Sequence, residues 1–142
     1  NEKAIADLRS LGAYANEVIL KVNEAEFQKI INSDSTIESA VKSWVNKRGK
    51  PVLLTLGDQG MIYASPNEFH WEKAIPAHGP IDTVGAGDMV VAAFSAARAA
   101  GANIEEACSL ASLAVHVTIH KIGETGSARA NEIIQTYHAT RN

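Results

Sequence analysis

Cysteine is almost absent from the sequence, since Cys108 is the only one among 142 residues. A single cysteine cannot form an internal disulfide or supply a cysteine-rich zinc site, and this scarcity is typical of a reducing compartment. Long apolar runs are also missing: the longest stretch without a charge, 89–97, is far too short to span a bilayer. The sequence also has no excess of positive charge, with 13 Lys and Arg residues against 16 Asp and Glu residues. The net charge of −3 argues against a nucleic-acid partner that is bound through bulk positive charge.

An initiator methionine and a signal-peptide pattern are likewise lacking, because the chain opens with Asn1-Glu2-Lys3. We therefore expect a processed or excised piece of a cytoplasmic protein, with no membrane partner. The apolar fraction of 46% is ordinary for a globular fold and supports neither disorder nor a disulfide scaffold. The length is that of one domain.

The apolar spacing predicts strands that alternate with helices. An amphipathic helix over 5–14 precedes a short strand over 18–20, and Ser35 with Glu38 has the spacing of a capping box that starts the next helix. That helix ends at Gly49. Three further strands are predicted, followed by three helices: 51–56, 60–64 and 69–75, then 86–100, 104–119 and 131–138. This order favours an α/β fold with a layered, Rossmann-like sheet and helices on its faces.

The most informative stretch is Asp82-Thr83-Val84-Gly85-Ala86-Gly87-Asp88, which leads directly into a predicted helix. Small residues at 85–87 let the backbone approach a ligand, and amides at a helix N-terminus bind anions, phosphate above all. Asp88 places a carboxylate beside that site. The pairing is chemically sensible if the carboxylate accepts a proton from a nucleophile that attacks phosphorus while the amides hold the developing charge.

Other interpretations of the glycines were weighed. Asp88 alone is also a common helix-capping residue after a glycine turn. A Walker-type nucleotide site is excluded because no GxxxxGK[ST] occurs, and a dinucleotide-binding site is disfavoured because the third glycine of GxGxxG is missing. His116 and His120 are four residues apart on a helix, but no third metal ligand is evident, so they are assigned to the surface or a second layer. Trp44 and Trp71 are interpreted as packing residues, and Cys108 as buried and inert.

The seven-residue stretch resembles the C-terminal signature D-[TS]-x-G-A-G-D of the PfkB/ribokinase family of carbohydrate kinases. Two more segments match in order: Asn23-Glu24-Ala25-Glu26 resembles that family's N-x-x-E element, and 55–60 resembles its T-x-G-x-x-G element. Asn23 and Glu26 would otherwise be a helix cap and a first-turn acid, and 55–60 a hairpin turn. The resemblance extends from about Val18 onward and implies a ribokinase-like fold.

The resemblance also implies roles for these residues. Asp88 would be the base that deprotonates the sugar hydroxyl, and the amides of Gly85, Ala86 and Gly87 would form an anion hole for the phosphoryl group. The nucleotide-binding residues implied are Thr55, Gly57, Gly60, Ala114 and Gly123. Asn23 and Glu26 would organise Mg²⁺ through its waters, while Asp82 and the carbonyl of Val84 resemble a monovalent-cation site for K⁺, completed by the 123–127 loop.

Members of the family are about twice as long as this chain, and the part without a match here is N-terminal. The chain therefore resembles the C-terminal, nucleotide-binding and catalytic part of a ribokinase-like domain, without the N-terminal half and lid, and we expect it to be inactive alone. Ser112 stands where many relatives carry Asn, and Met89 where a small residue is usual. The segment 116–123 most resembles the branch of heptose-phosphate kinases. The full-length protein is expected to act on a sugar or sugar phosphate and to be a homodimer.

One alternative comes from a different class of protein: a noncatalytic nucleotide-responsive module or a degenerate kinase partner. The intact Asp88 counts against it. A dinucleotide-binding oxidoreductase fragment is a more distant possibility.

Overall fold

Four short strands form one sheet in chain order. The computed structural model describes residues 18–31, 35–124 and 127–140. Within them, β1 pairs in parallel with β2, whereas β3 is antiparallel to both β2 and β4. The strands are β1 (Leu20–Asn23), β2 (Val52–Thr55), β3 (Met61–Ala64) and β4 (Phe69–Glu72). The predicted layered α/β sheet is confirmed, and its strands are of mixed direction.

Helices cover both faces of this sheet. Their bounds are α1 (Glu24–Gln28), α2 (Ile37–Arg48), α3 (Ala86–Ala99), α4 (Ile104–Ile119) and α5 (Ala130–Thr140), with a short 3₁₀ helix at Gly57–Gln59. The positions of α2 to α5 agree with the helices predicted from apolar spacing, whereas α1 and the 3₁₀ helix were not predicted from it. The helix predicted over 5–14 lies outside the described residues. None of the described helices has the length and apolar character needed to cross a membrane.

The capping prediction at Ser35 was wrong. Thr36 is the N-cap of α2, and its hydroxyl accepts a hydrogen bond from the Ser39 amide at 3.4 Å. Thr36 takes this role because it directly precedes the first helical residue, so that Ser39 rather than Glu38 occupies the third helical position. The C-terminal end was predicted correctly, since Gly49 caps α2 with a φ of 63°.

The strands β2 and β3 are within one residue of the predicted bounds at each end, whereas the other two strands differ more. The first strand begins at Leu20 instead of Val18 and runs through Asn23, because its ladder with β2 starts where Leu20 faces Val52. The strand predicted over 69–75 ends at Glu72, which faces Met61, the first residue of β3. Asn23 is therefore the last residue of a strand and the cap of α1 at the same time.

Strand β2 is buried on both faces. Val52 and Leu54 pack against an apolar cluster that includes Phe27, Val41 and Val45, on the side of α1 and α2. Leu53 points to the opposite cluster, formed mainly by α3 and α4. A strand covered on both sides is apolar throughout, which is why the run over 52–54 has no polar alternation.

The predicted packing roles of the two tryptophans and of the cysteine agree with the structure. Trp44 and Trp71 are partly buried against the cluster beneath α2. Cys108 is fully buried in α4. Burial raises the pKa of its thiol to about 12, so the neutral thiol prevails at physiological pH.

The carboxyl ends of β1 and β2 lie side by side, with Asn23 facing Thr55. The chain then turns at Gly60 and enters β3 at the same edge of the sheet. Ligands of α/β sheets bind beyond the carboxyl ends of parallel strands. The topology therefore brings the two separate motifs at 23–26 and 55–60 to one edge of the sheet.

Candidate functional site

A cavity of about 690 Å³ opens at this edge of the sheet. Its volume is within the range of about 300–1,000 Å³ that is typical of small-molecule sites. Five of the residues predicted to be functional line it: Asn23, Thr55, Gly57, Gly60 and Ala86. Much of the remaining wall comes from the segment after β4 and from α3 and α4: Ala74, Ile75, Pro76, Ala77, Val90, Ser112, Val115, His116 and Ile119.

Another cavity, of about 520 Å³, lies at the opposite end of the strands, between Gly49 and Glu68. Its walls include Lys50, Pro51 and Ser65 but none of the residues predicted to be functional. The first cavity is therefore the one that the motifs share, although the other predicted residues do not line it: Glu26, Asp82, Val84, Gly85, Gly87, Asp88, Ala114 and Gly123.

A tight turn precedes α3 at one rim of the first cavity. The amide of Ala86 donates to the carbonyl of Thr83 at 3.1 Å, and Gly85 has φ 81° and ψ −3°, the geometry of the third residue of a type II turn. This conformation favours glycine at position 85. Gly85 is also the N-cap of α3 and offers no side chain to accept from the helix amides.

The first amides of α3 are consequently free to bind a ligand. Among the described residues, the amides of Gly85, Gly87 and Asp88 have no hydrogen-bond acceptor. The predicted anion hole is altered in one member, because the amide of Ala86 is used by the turn. The amide of Asp88, which the sequence analysis did not include, is available instead. Free amides at a helix N-terminus favour an anion such as phosphate.

The carboxylate of Asp88 is solvent-exposed in the first turn of α3. Within the described part of the chain, no hydrogen-bond donor or cation lies within bonding distance of it. The carboxylate is thus free to accept a proton from a group that enters the site from the solvent side.

Asp82 braces the turn against the end of α4. One carboxylate oxygen accepts from the amide of Val84 at 3.0 Å, and the other accepts from the amide of Gly123 at 3.3 Å. The amide of Asp82 itself donates to the carbonyl of Ile119 at 2.8 Å. The structure therefore brings Asp82, Val84 and Gly123 together, although they come from two distant segments.

A lysine anchors the segment that follows Gly123. The ammonium of Lys121 donates to the Ser127 carbonyl at 2.6 Å and to Oε2 of Glu132 at 2.8 Å. This hydrogen bond, with help from the Arg129 amide, lowers the pKa of Glu132. The anchor fixes Ser127 next to α5.

Asn23 and Glu26 form a capping box at the start of α1. Oδ1 of Asn23 accepts from the Glu26 amide at 2.8 Å, and Oε2 of Glu26 accepts from the Asn23 amide at 2.8 Å. This is the geometry of the capping alternative that was weighed for these residues. The pair holds the Asn23 side chain at the cavity wall, while Glu26 is exposed beside it.

Gly60 is a glycine because two backbone segments meet there. Its φ is 95°, and a Cβ at this position would lie 2.0 Å from the carbonyl oxygen of Glu72 and 2.6 Å from the amide nitrogen of Ala74. The close approach brings the segment after β4 against the 55–60 turn. Gly57, with φ 58°, has no atom within 4 Å of a built Cβ, so the space beside it is open.

The helix α4 presents a different set of side chains to the cavity from the one predicted. Ala114 is fully buried in the core and does not line the cavity. Ser112, Val115 and His116 line it instead, because they lie on another face of the helix. The hydroxyl of Ser112 donates to the Lys73 carbonyl at 3.5 Å.

His116 was assigned from the sequence to the surface or a second layer, but it is part of the cavity wall. Burial lowers the pKa of its imidazole, and the neighbouring His120, whose ring centroid is 4.5 Å away, acts in the same direction. No group of three or more metal-ligating side chains occurs among the described residues. Only the packing of α4 against 74–77 reveals this position, and no local sequence pattern signals it.

Residues 5–131 match the model of the pfkB family of carbohydrate kinases. The chain belongs to this family. It is 29% identical over 133 residues to the bifunctional protein HldE of Vibrio vulnificus, covering 91% of this chain and 28% of that protein. The family membership predicted from the three motifs is confirmed.

Solved structures of ribokinases are similar to this fold. The ribokinase of Thermotoga maritima is 25% identical, with a TM-score of 0.74 over 84% of this chain and 42% of that one. A putative ribokinase II from E. coli, in complex with ATP and Mg²⁺, is 26% identical, with a TM-score of 0.73 over 96% of this chain and 44% of that one. The chain thus spans less than half the length of these relatives.

We predict that Gly60→Ala is strongly destabilising. The new methyl group would overlap the backbone at Glu72, so we expect the free energy of unfolding to fall by about 3 kcal/mol or more in urea titrations. Gly49→Ala is the matched control, since Gly49 also has a positive φ but nothing within 4 Å of a built Cβ. It should cost about 1–2 kcal/mol. Equal losses in the two variants would contradict the close approach at Gly60.

Proposed function

We propose that this chain is the nucleotide-binding and catalytic part of an ATP-dependent phosphotransferase that acts on a hydroxyl of a sugar or sugar phosphate. The observation that carries the proposal is the free Asp88 carboxylate on a helix whose first amides are also free. A carboxylate beside an anion site is unfavourable for binding alone, because the two anions repel each other. It becomes useful when the carboxylate takes up a proton during the reaction.

In this proposal the acceptor hydroxyl attacks the γ-phosphorus of ATP, the bond from that phosphorus to the β-phosphate oxygen breaks, and ADP leaves with the bonding electrons. Asp88 accepts the hydroxyl proton. The amides of Gly85, Gly87 and Asp88 hydrogen-bond the oxygens on which negative charge accumulates. The chain's residues therefore contribute by positioning the reactants and by stabilising charge, which are the main requirements of phosphoryl transfer.

The cavity fits a nucleotide and a hard cation. Thr55, Gly57 and Gly60 would lie along the phosphates and ribose. The open space beside Gly57 would let the nucleotide approach the backbone there, whereas the missing side chain of Gly60 makes room for the segment after β4. Asn23 and Glu26 supply the oxygen ligands that Mg²⁺ prefers, and they would hold the ion through its waters. When bound, Mg²⁺ neutralises phosphate charge.

A monovalent cation such as K⁺ is proposed next to Asp82, the carbonyl of Val84 and the 123–127 loop. The support is the hydrogen bond from the Gly123 amide to Asp82, which brings these two segments together. Asp82 also fixes the turn that precedes α3, through its hydrogen bond from the Val84 amide.

The substrate half of the site is proposed to come from outside this chain. The chain spans 28% of the HldE protein and 42–44% of the two ribokinases described above. A sugar phosphate, and a heptose phosphate in particular, is proposed as substrate from the resemblance of 116–123. Dimerisation of the full-length protein remains a proposal as well.

We predict that the 142-residue chain binds MgATP weakly and transfers no phosphoryl group to sugars. A complete kinase site excludes water around the substrate, and this chain lacks the segments that perform this role in the proposal. Calorimetric titration with MgATP measures the first part, and an ADP-release assay with a panel of sugars and sugar phosphates measures the second. Absence of MgATP binding would favour a noncatalytic domain that only interacts with other proteins, and NADH binding tighter than ATP binding would favour an oxidoreductase.

In the full-length enzyme, Asp88→Asn should lower kcat by about 100-fold or more, because the proton acceptor is lost. MgATP affinity should stay nearly unchanged or rise slightly, because the substitution also removes the repulsion between two anions. Steady-state kinetics and nucleotide titration provide the two readouts. Glu105→Gln is the matched control, since Glu105 is an exposed acid in the first turn of the next helix. Retained turnover in Asp88→Asn would remove Asp88 as the base.

A further inference from the structure

Lys21 occupies a core-facing position of the sheet. It pairs with Leu53 across β1 and β2, and Leu53 packs into the apolar cluster formed with α3 and α4. Its neighbours Leu20 and Val22 pack on the other face, against the cluster beneath α2. The alternation of β1 therefore directs a half-buried lysine toward α3, at a position where an apolar residue would be expected.

The ammonium of Lys21 reaches the first turn of α3. A Cβ built on Gly87 would lie 3.0 Å from Nζ and 3.9 Å from Cε of Lys21. Gly87 does not have a positive φ, so backbone conformation does not demand a glycine there. The short distance shows instead that the ammonium lies directly against the first turn of α3, although the flexible lysine side chain could shift to accommodate a methyl group there.

This ammonium has no counterion in the described part of the chain, where no carboxylate lies within 4.0 Å of it and no acceptor is hydrogen-bonded to it. Other lysines are paired: Lys42 with Glu38 at 2.5 Å and Lys121 with Glu132 at 2.8 Å. The N-terminus of α3 carries the positive end of the helix dipole. A cation held there is unfavourable unless an anion binds between the two.

We propose that Lys21 is a further catalytic residue, whose ammonium contacts the phosphoryl group held by the amides of Gly85, Gly87 and Asp88. The inference rests on the proposed function. While the γ-phosphoryl group passes from ATP to the acceptor hydroxyl, ADP leaves and the hydroxyl proton passes to Asp88, Lys21 keeps its own protons. Its charge offsets the negative charge on the phosphoryl oxygens, which is greatest during transfer. In this assignment Lys21 recognises the γ-phosphoryl group, and ADP lacks that group.

The first test compares the affinities for MgATP and MgADP by calorimetry. Lys21→Met keeps the length of the side chain and removes its charge, so we expect MgATP affinity to fall by about 10- to 100-fold, with a much smaller change for MgADP. Lys29→Met removes one charge from an exposed position at the end of α1 and should change neither affinity. Thermal unfolding without nucleotide should show no loss of Tm in Lys21→Met, because a repulsive contact is removed.

The second test needs no variant. In the unmodified chain, MgATP should protect the Lys21 ammonium from acetylation more strongly than MgADP does, as measured by mass spectrometry of the modified peptides. Equal protection by the two nucleotides, or equal losses of their affinities in Lys21→Met, would overturn the assignment to the γ-phosphoryl group. If the unmodified chain binds MgADP and MgATP but Lys21→Met changes neither affinity, the Lys21 proposal fails and the proposed function stands. Failure of the unmodified chain to bind any nucleotide overturns both.

Discussion

The turn over Thr83–Ala86 is the constraint on which the rest of the site depends. Its hydrogen bond uses the Ala86 amide and turns the chain into α3 through a glycine cap that cannot satisfy the helix amides. Asp82 holds the turn from both sides, through Val84 and through Gly123 at the end of α4. The start of α3 therefore combines unbonded amides, the Asp88 carboxylate and the nearby Lys21 ammonium. Unbonded amides and a cation at a helix N-terminus are energetically unfavourable unless an anion binds there.

The sheet supplies the other half of the geometry. Because β1 and β2 are parallel, their carboxyl ends present Asn23 and Thr55 next to each other, and the tight passage at Gly60 brings the segment after β4 to the same edge. A capping box then fixes the orientation of Asn23. The hydrogen bonds between Asn23 and Glu26 thus stabilise the start of α1 and also position Asn23 in the cavity wall. Capping and ligand binding are therefore compatible roles for Asn23 and Glu26.

Local chemistry decided what could be predicted from the sequence. The glycine turn before α3, the break before α4 and the glycine at the end of α2 follow from backbone conformations that few other residues adopt, and they were predicted correctly. The choice of Thr36 over Ser35 as a cap, and the start of β1 at Leu20, depend on register and pairing, which the local pattern does not determine. The approach of Lys21 to α3, the place of His116 in the cavity wall and the burial of Ala114 depend on how distant elements pack, so the local sequence does not reveal them.

If the first amides of α3 hold the phosphoryl group, their NMR shifts should change when the chain is titrated with MgATP. We expect the largest changes at Gly85, Gly87 and Asp88, and a smaller one at Ala86, whose amide is already bonded within the turn. Shifts that leave these three amides unchanged while others around the cavity respond would contradict this role of the amides.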